Sequence, residues 1–198
     1  MNRLKDSSDE FNSLPTPATR TAKPKSLTDY LALAIATCGV GYLPLAPGTW
    51  GSLVGVAIYL GVESYTLQFA NAAFTISPLP LLLSVELVVI TIITLVGIWA
   101  ATRTEQLSGH KDPGKVVIDE VAGQLIALLP TIRFFDPGWL SIIAAFLLFR
   151  LFDIIKPYPA RRLENLESGL GIVCDDLVAG AYAAVGTSIV VLIRYLFF

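Results

Sequence analysis

The stretch "FDIIKPYP", residues 152–159, sets an acid, Asp153, and a base, Lys156, three residues apart where an apolar run ends in two prolines. At i and i+3 the two groups share one helical face, and Pro157 and Pro159 would stop the helix so that the chain can turn back. Two further acidic pairs stand at comparable junctions: Asp119-Glu120 opens one apolar run and Asp175-Asp176 opens another. Five carboxylates gathered in one shallow layer at a membrane surface are costly unless a cation or a base neutralises them. The chain has one histidine and two cysteines, so the available ligands are hard oxygens. That set favours Mg²⁺, which keeps several waters and shares its sphere with a substrate phosphate. Asp119, Glu120, Asp153, Asp175 and Asp176 are the expected metal ligands and catalytic acids. Arg150, Lys156, Arg161, Lys111, Lys115 and His110 lie close to them in sequence. Acids, a metal and bases together are what hydrolysis of a phosphate monoester requires, with Arg150 and Lys156 on the non-bridging oxygens.

Each feature taken alone has a plainer explanation. Acidic pairs favour helix N-termini, and Asp153 with Arg150 and Lys156 would make a salt-bridged helix end. Recurrence at one membrane face is what argues for a site. His110 reads as a polar loop residue, and Glu86 as a group near the opposite interface or against a partner helix. Cys38 and Cys174 lack paired spacing and read as packing residues. "APGTWGS", residues 46–52, reads first as a turn before a helix, with Thr49 or Ser52 capping, and second as a phosphate nest of backbone N–H groups. Other phosphatase chemistries lack their residues: there is no second histidine, no Asp-x-Asp pair, and no arginine six residues after either cysteine.

The elements that must position these residues are apolar. With 54% hydrophobic and 15% charged residues and a mean hydropathy of +0.66, the chain has too little polar surface for a soluble globule. Its net charge of −2 gives no general attraction to nucleic acid. The expected fold is all-α, a multi-helix membrane-associated bundle over residues 28–198, preceded by a polar tail over 1–27 that is too poor in apolar residues to order itself. Leu81 to Ala101 and Leu177 to Ile193 should cross the bilayer, which takes about 20 apolar residues as helix. Ser52 to Phe74, Val116 to Thr131 and Trp139 to Ile155 are weaker candidates. Tyr30 to Leu45, broken by Gly39, Gly41 and Pro44, reads as an interfacial or re-entrant helix. Basic residues collect in the tail and in alternate breaks, at Arg103, Lys111 and Lys115 and again at Lys156, Arg161 and Arg162. The positive-inside rule then predicts five crossings, a cytoplasmic tail, and all the acids at cytoplasmic helix ends. A small membrane transporter or cation channel is the alternative, with acids spread along a path through the membrane depth.

Three blocks carry a resemblance: "GYLPLAPGTWGSLVG" from Gly41, "KDPGKVVIDEVAGQLIAL" from Lys111, and "FRLFDIIKPYPARRLENLESGLGIVCDDLVAGAYA" from Phe149. Together they cover about a third of the chain and resemble the phosphatidylglycerophosphatase A family. The resemblance implies an all-helical, Mg²⁺-dependent enzyme of the inner (plasma) membrane that takes the phosphate from phosphatidylglycerophosphate and leaves phosphatidylglycerol. Carried over by position, its motif residues are Pro47, Gly48 and Thr49, then Asp112, Gly114, Asp119 and Glu120, then Arg150, Asp153, Lys156, Pro157, Asp175 and Asp176. Thr49 and Lys111 join Arg150 and Lys156 as expected substrate-binding residues. One departure is the glycine pair expected before the last acidic motif, which reads Ser168-Gly169.

Overall fold

The computed structural model describes residues 26–73, 77–132, 138–163, 166 and 168–197. The expected tail lies outside the described residues up to residue 25. Its last two positions already belong to a helix start. Ser26 caps α1 (Leu27–Thr37) in a reciprocal box: the Asp29 N–H donates to Ser26 Oγ at 3.2 Å and the Ser26 N–H donates to Asp29 Oδ2 at 3.2 Å. Arg103 fixes the same carboxylate, at 2.7 Å to Asp29 Oδ1, and so ties α1 to the end of a later helix. The helix stops at Cys38, whose φ of 48° is left-handed, so the expected segment to Leu45 is a short helix and a turn.

Four longer helices and two short ones follow: α2 (Pro47–Ala73), α3 (Pro78–Ser108), α4 (Ile118–Leu128) with a 3₁₀ turn (Leu129–Thr131), α5 (Trp139–Ile155), α6 (Ala160–Leu163) and α7 (Gly169–Phe197). Among the described residues there is no strand, in agreement with the all-helical expectation. Three helices, α2, α3 and α7, are long and apolar enough to cross a membrane. Five crossings were expected; α4 and the 17-residue α5 are not among these three, and α4 departs furthest from that reading. Its 11 residues reach about 17 Å, well short of a hydrocarbon core of about 30 Å. Pro130, lacking an N–H, sits where the α-helical ladder gives way to the 3₁₀ turn. Instead of facing lipid, α4 is the buried axis of the bundle, with Val121, Ala122, Leu125, Ala127 and Leu128 fully enclosed.

The outer helices are turned inside out relative to a soluble protein. Ile143, Leu147, Leu151 and Ile154 form an exposed stripe on α5 at i+4 and i+3 spacing, and Leu95, Trp99, Ile189 and Leu192 are exposed on α3 and α7. An apolar belt of this extent faces lipid. Inside, helices approach through glycines. Gly48, Gly51 and Gly55 of α2 all meet α4: a Cβ at Gly51 would lie 2.8 Å from the Val117 carbonyl oxygen, and one at Gly55 would lie 2.9 Å from Gln124 Cβ. Gly180 of α7 rests on the backbone of Gly123 of α4, where a Cβ would collide with the carbonyl oxygen. That pair lies one turn below acids on both helices, since Gly123 follows Asp119 by four residues and Gly180 follows Asp176 by four.

Candidate active site

Close backbone contact between α4 and α7 brings their carboxylates together. Asp119 and Glu120 stand in the first turn of α4, where negative charge meets the helix dipole. Asp175 and Asp176 do not open their helix as expected. They lie six and seven residues past Gly169, in the second turn of α7, beyond the reach of a terminal dipole. The capping explanation therefore covers the first pair and not the second.

Asp119, Glu120 and Asp176 each offer an oxygen within 4.8 Å of the others. Asp119 Oδ1 and Glu120 Oε2 are buried and have no hydrogen-bond partner among the described residues. Burial pushes Asp119 up from 3.8 to about 6; the charges of Asp112 and Asp175 add to the rise and a hydrogen bond from Glu120 opposes it. Burial, and then the charge of Asp119, hold Glu120 well above the usual carboxylate range. A buried set of hard oxygens, raised in pKa chiefly by desolvation, suits a hard divalent cation.

The other two acids are engaged. Arg150 Nη1 meets Asp153 Oδ2 at 2.6 Å across one turn of α5. Lys156 Nζ donates to Asp175 Oδ2 at 2.7 Å. The expected i, i+3 face shared by Asp153 and Lys156 is not what forms. Lys156 caps α5 with a left-handed φ of 47°, which takes its side chain off the helix face and across to α7. All five acids thus converge at one end of the bundle, three in ligand range of one another and two holding the bases.

Residues 46–52 close over the site. Pro47 takes the first position of α2, where its missing N–H costs nothing. A Cβ on Gly48 would strike the Glu120 carboxylate and lie 2.9 Å from Arg150 Nη1, so only glycine lets this turn approach. Thr49 is half-buried in the same turn, inside the helix, and Ser52 Oγ donates to the Gly48 carbonyl at 2.9 Å, so neither caps α2 as expected. The N–H groups of Thr49 and Trp50 both donate to the Ala46 carbonyl, at 3.0 and 3.4 Å, which withdraws two donors from the phosphate-nest reading. Lys111 is exposed and lines a groove of about 480 Å³ with Thr102, Glu105, His110 and Ser168. None of the five acids lines it.

Sequence reasoning named Gly48 by resemblance but missed Gly51, Gly55, Gly123 and Gly180, although the 48, 51, 55 spacing was available as a small-residue helix face. It also missed Gln124, one turn beyond Glu120, fully buried with neither amide atom hydrogen-bonded among the described residues. Glu86, given no role, is 1% exposed beside Tyr59 and Glu63, deep in the bundle.

The model of the family described as PgpA, Phosphatidylglycerophosphatase A, matches residues 33–191, which takes in α2 to α5 entirely and every acid of the site. The chain belongs to this family. A Haemophilus influenzae protein named phosphatidylglycerophosphatase A is 36% identical over 163 residues, 81% of this chain and 88% of the relative. An Escherichia coli protein of the same name is 34% identical over 149 residues, 74% of each chain. A Bacteroides thetaiotaomicron protein named "Putative phosphatidylinositol-3-phosphatase" is 37% identical over 155 residues, 78% of this chain and 89% of the relative. No solved structure matches the chain. Membership of a phosphatase family does not favour the transporter alternative.

Proposed function

We propose that this chain hydrolyses the terminal phosphate monoester of phosphatidylglycerophosphate, releasing inorganic phosphate and leaving phosphatidylglycerol in the membrane. The observation that carries the reading is the meeting, in a phosphatidylglycerophosphatase A chain, of three close-set carboxylates with two ion-paired bases at one end of an apolar bundle.

In this reading Asp119, Glu120 and Asp176 would hold Mg²⁺, and Asp153 and Asp175, which hold Arg150 and Lys156, would join them only through water. The fit rests on the unpartnered buried oxygens and on an all-oxygen donor set. When bound, Mg²⁺ supplies positive charge against the phosphate oxygens. Arg150 and Lys156 turn from their carboxylates to the non-bridging oxygens, Arg150 in a planar fork and Lys156 as a point charge. A carboxylate of the set accepts the proton of the attacking water as the new O–P bond forms; the P–O bond to glycerol breaks, and that proton or one from solvent passes to the glycerol oxygen, which leaves as the hydroxyl of the lipid. Positioning and charge neutralisation carry most of such a reaction. Thr49 and Lys111 act at the edge of the headgroup. The end that bears the site also bears Arg103, Lys115, Arg161 and Arg162, and this excess of positive charge supports a cytoplasmic face of the inner (plasma) membrane.

Phosphate release from phosphatidylglycerophosphate in neutral detergent micelles tests the reading, with Mg²⁺ or with EDTA, for the wild type and for Asp176→Asn. The expected result is turnover that needs the metal and falls at least about 100-fold in the folded variant. Faster release from phosphatidylinositol 3-phosphate would move the substrate assignment to the chemistry in the name of the Bacteroides relative. No release from either lipid by folded, Mg²⁺-loaded protein would overturn the function.

A further inference from the structure

Beside the site, on the other side of Lys156, lies a groove that the reaction just described does not use. It has a volume of about 420 Å³ and is lined by Ile155, Lys156, Pro157, Tyr158, Arg161 and Arg162. Among the described lining residues three of six are cations and none is an acid. Its size falls in the range of small-molecule pockets. Two lining residues, Ile155 and Tyr158, are apolar or aromatic and more than half exposed, and they continue the lipid-facing stripe that Leu151 and Ile154 begin. One wall is therefore suited to acyl or glyceryl carbon and the other to an anion.

The groove is held in shape from beneath. The Ala160 N–H donates to the Pro157 carbonyl and the Arg162 N–H to the Pro159 carbonyl, each at 2.8 Å. Tyr182 of α7 donates its hydroxyl hydrogen to the Tyr158 carbonyl at 2.9 Å and packs its ring 5.6 Å from that of Phe152. The Arg162 guanidinium lies 5.1 Å from the centre of the Tyr158 ring, a stacking that fixes the plane of its donors. Lys156 belongs to both places, since it lines the groove while its Nζ reaches Asp175 in the acid site.

We propose that this groove binds the phosphodiester of the substrate's own headgroup and so selects lipids that carry two phosphates. The inference rests on the phosphatase reading above. A lipid whose monoester reaches the acid site has its diester one glycerol away, on the membrane side of the reacting phosphorus. Arg161 and Arg162 meet that diester, and Lys156 stands between the two anions. The diester neither forms nor breaks a bond, so its binding energy orients the headgroup and discriminates against lipids that end in a single monoester. Charge-assisted Arg–phosphate contacts are the strong class of hydrogen bond.

The test uses the full chain with Mg²⁺ in neutral micelles and two probes. Short-chain phosphatidylglycerol carries the diester alone, and inorganic phosphate probes the acid site alone. Calorimetry should find phosphatidylglycerol binding weakened roughly 10- to 100-fold in Arg162→Gln and further in the Arg161→Gln/Arg162→Gln double variant. Inorganic phosphate should bind within about twofold of the wild type, which also reports a folded site, and Arg162→Lys should restore part of the loss. Turnover should lose KM for phosphatidylglycerophosphate while kcat holds, and the rate ratio of phosphatidylglycerophosphate to phosphatidic acid should drop by the same 10- to 100-fold. Unchanged phosphatidylglycerol affinity, or equal losses for both probes, overturns the proposal. So does a defect seen only on anionic vesicles and absent in neutral micelles, because that pattern belongs to bulk lipid charge. Phosphatidylglycerol binding that depends on Arg162 in a protein that hydrolyses neither lipid would leave the groove standing and remove the phosphatase reading.

Discussion

Replacing Gly180 by Ala tests whether backbone contact between α4 and α7 sets the geometry of the acids. The added Cβ would lie 3.0 Å from both the Cα and the carbonyl carbon of Gly123, and nearer still to its oxygen. Carbon atoms rest at about 3.5–4.0 Å, so the helices must part by about 0.5–1 Å. A fold absorbs such overpacking for about 1–3 kcal/mol, and alanine returns about 0.5–1 kcal/mol of helix propensity. The site has less tolerance, because Mg²⁺ demands oxygens at about 2.0–2.1 Å in near-octahedral array. A displacement of about 1 Å is worth on the order of 100-fold in rate. The variant should thus melt only a few degrees lower while its phosphate release falls about 10- to 100-fold and its Mg²⁺ requirement rises. Gly61→Ala is the control: it lies in α2 with nothing within 4 Å of its Cβ position, and it should be slightly stabilised and fully active. Melting in detergent and rate against Mg²⁺ concentration are the measurements. If Gly180→Ala is as active as Gly61→Ala at every Mg²⁺ level, helix proximity does not position the carboxylates and the reasoning fails.

Mg²⁺ should bind more weakly as pH falls through about 6, where Asp119 takes up its proton. The sign for the metal-free fold is the opposite: a pKa raised from 3.8 to about 6 adds stability below 3.8 that is lost as pH rises through 6. The rise in melting temperature caused by Mg²⁺ should accordingly grow between pH 5 and pH 7.5, and a rise independent of pH would contradict this. Glu86 is 1% exposed with neither carboxylate oxygen hydrogen-bonded among the described residues, so Glu86→Leu should stabilise the protein by about 1–3 kcal/mol in thermal melts without altering the Mg²⁺ requirement. Asp29→Ala removes both the capping box of α1 and its ion pair with Arg103, and should cost about 1–2 kcal/mol of stability at unchanged kcat.

The acids were legible because their cost is legible: carboxylates in so apolar a chain ask for a partner wherever they occur, and five of them fell at junctions of apolar runs. Which partner each one takes was not legible. Lys156 sits three residues after Asp153, but its left-handed backbone turns it away, and pairing with Asp175 depends on how α7 packs. The all-helical bundle followed from hydropathy, whereas the crossing count did not, because an apolar run carries no mark of whether it faces lipid or other helices. Val116 to Thr131 is such a run, and α4 within it is enclosed on all sides. Its signal was composition: Gly123, Ala122 and Ala127 are small enough for neighbours to close in. Asp29 was not read from the sequence: Ser26, its capping partner, was assigned to the polar tail, and its bond to Arg103 spans 74 residues.

The number of acids exceeds what a cation alone needs, and the ion pairs explain the excess. Asp119, Glu120 and Asp176 form the close-set group, and three oxygens are enough protein ligands for an ion that keeps several waters. Asp153 and Asp175 instead hold Arg150 and Lys156 in place before any phosphate arrives. Without them, two long cationic side chains would have to be ordered on binding, at about 0.5–1.5 kcal/mol each. With them, phosphate binding exchanges one anion for another at each base, and two carboxylates are released beside the reacting group. In the proposed reaction those released carboxylates become available to the attacking water at the moment the substrate is seated. The two ion pairs thus stay neutral in the empty site, and the charge left over is that of Asp119, Glu120 and Asp176, which a divalent cation would offset.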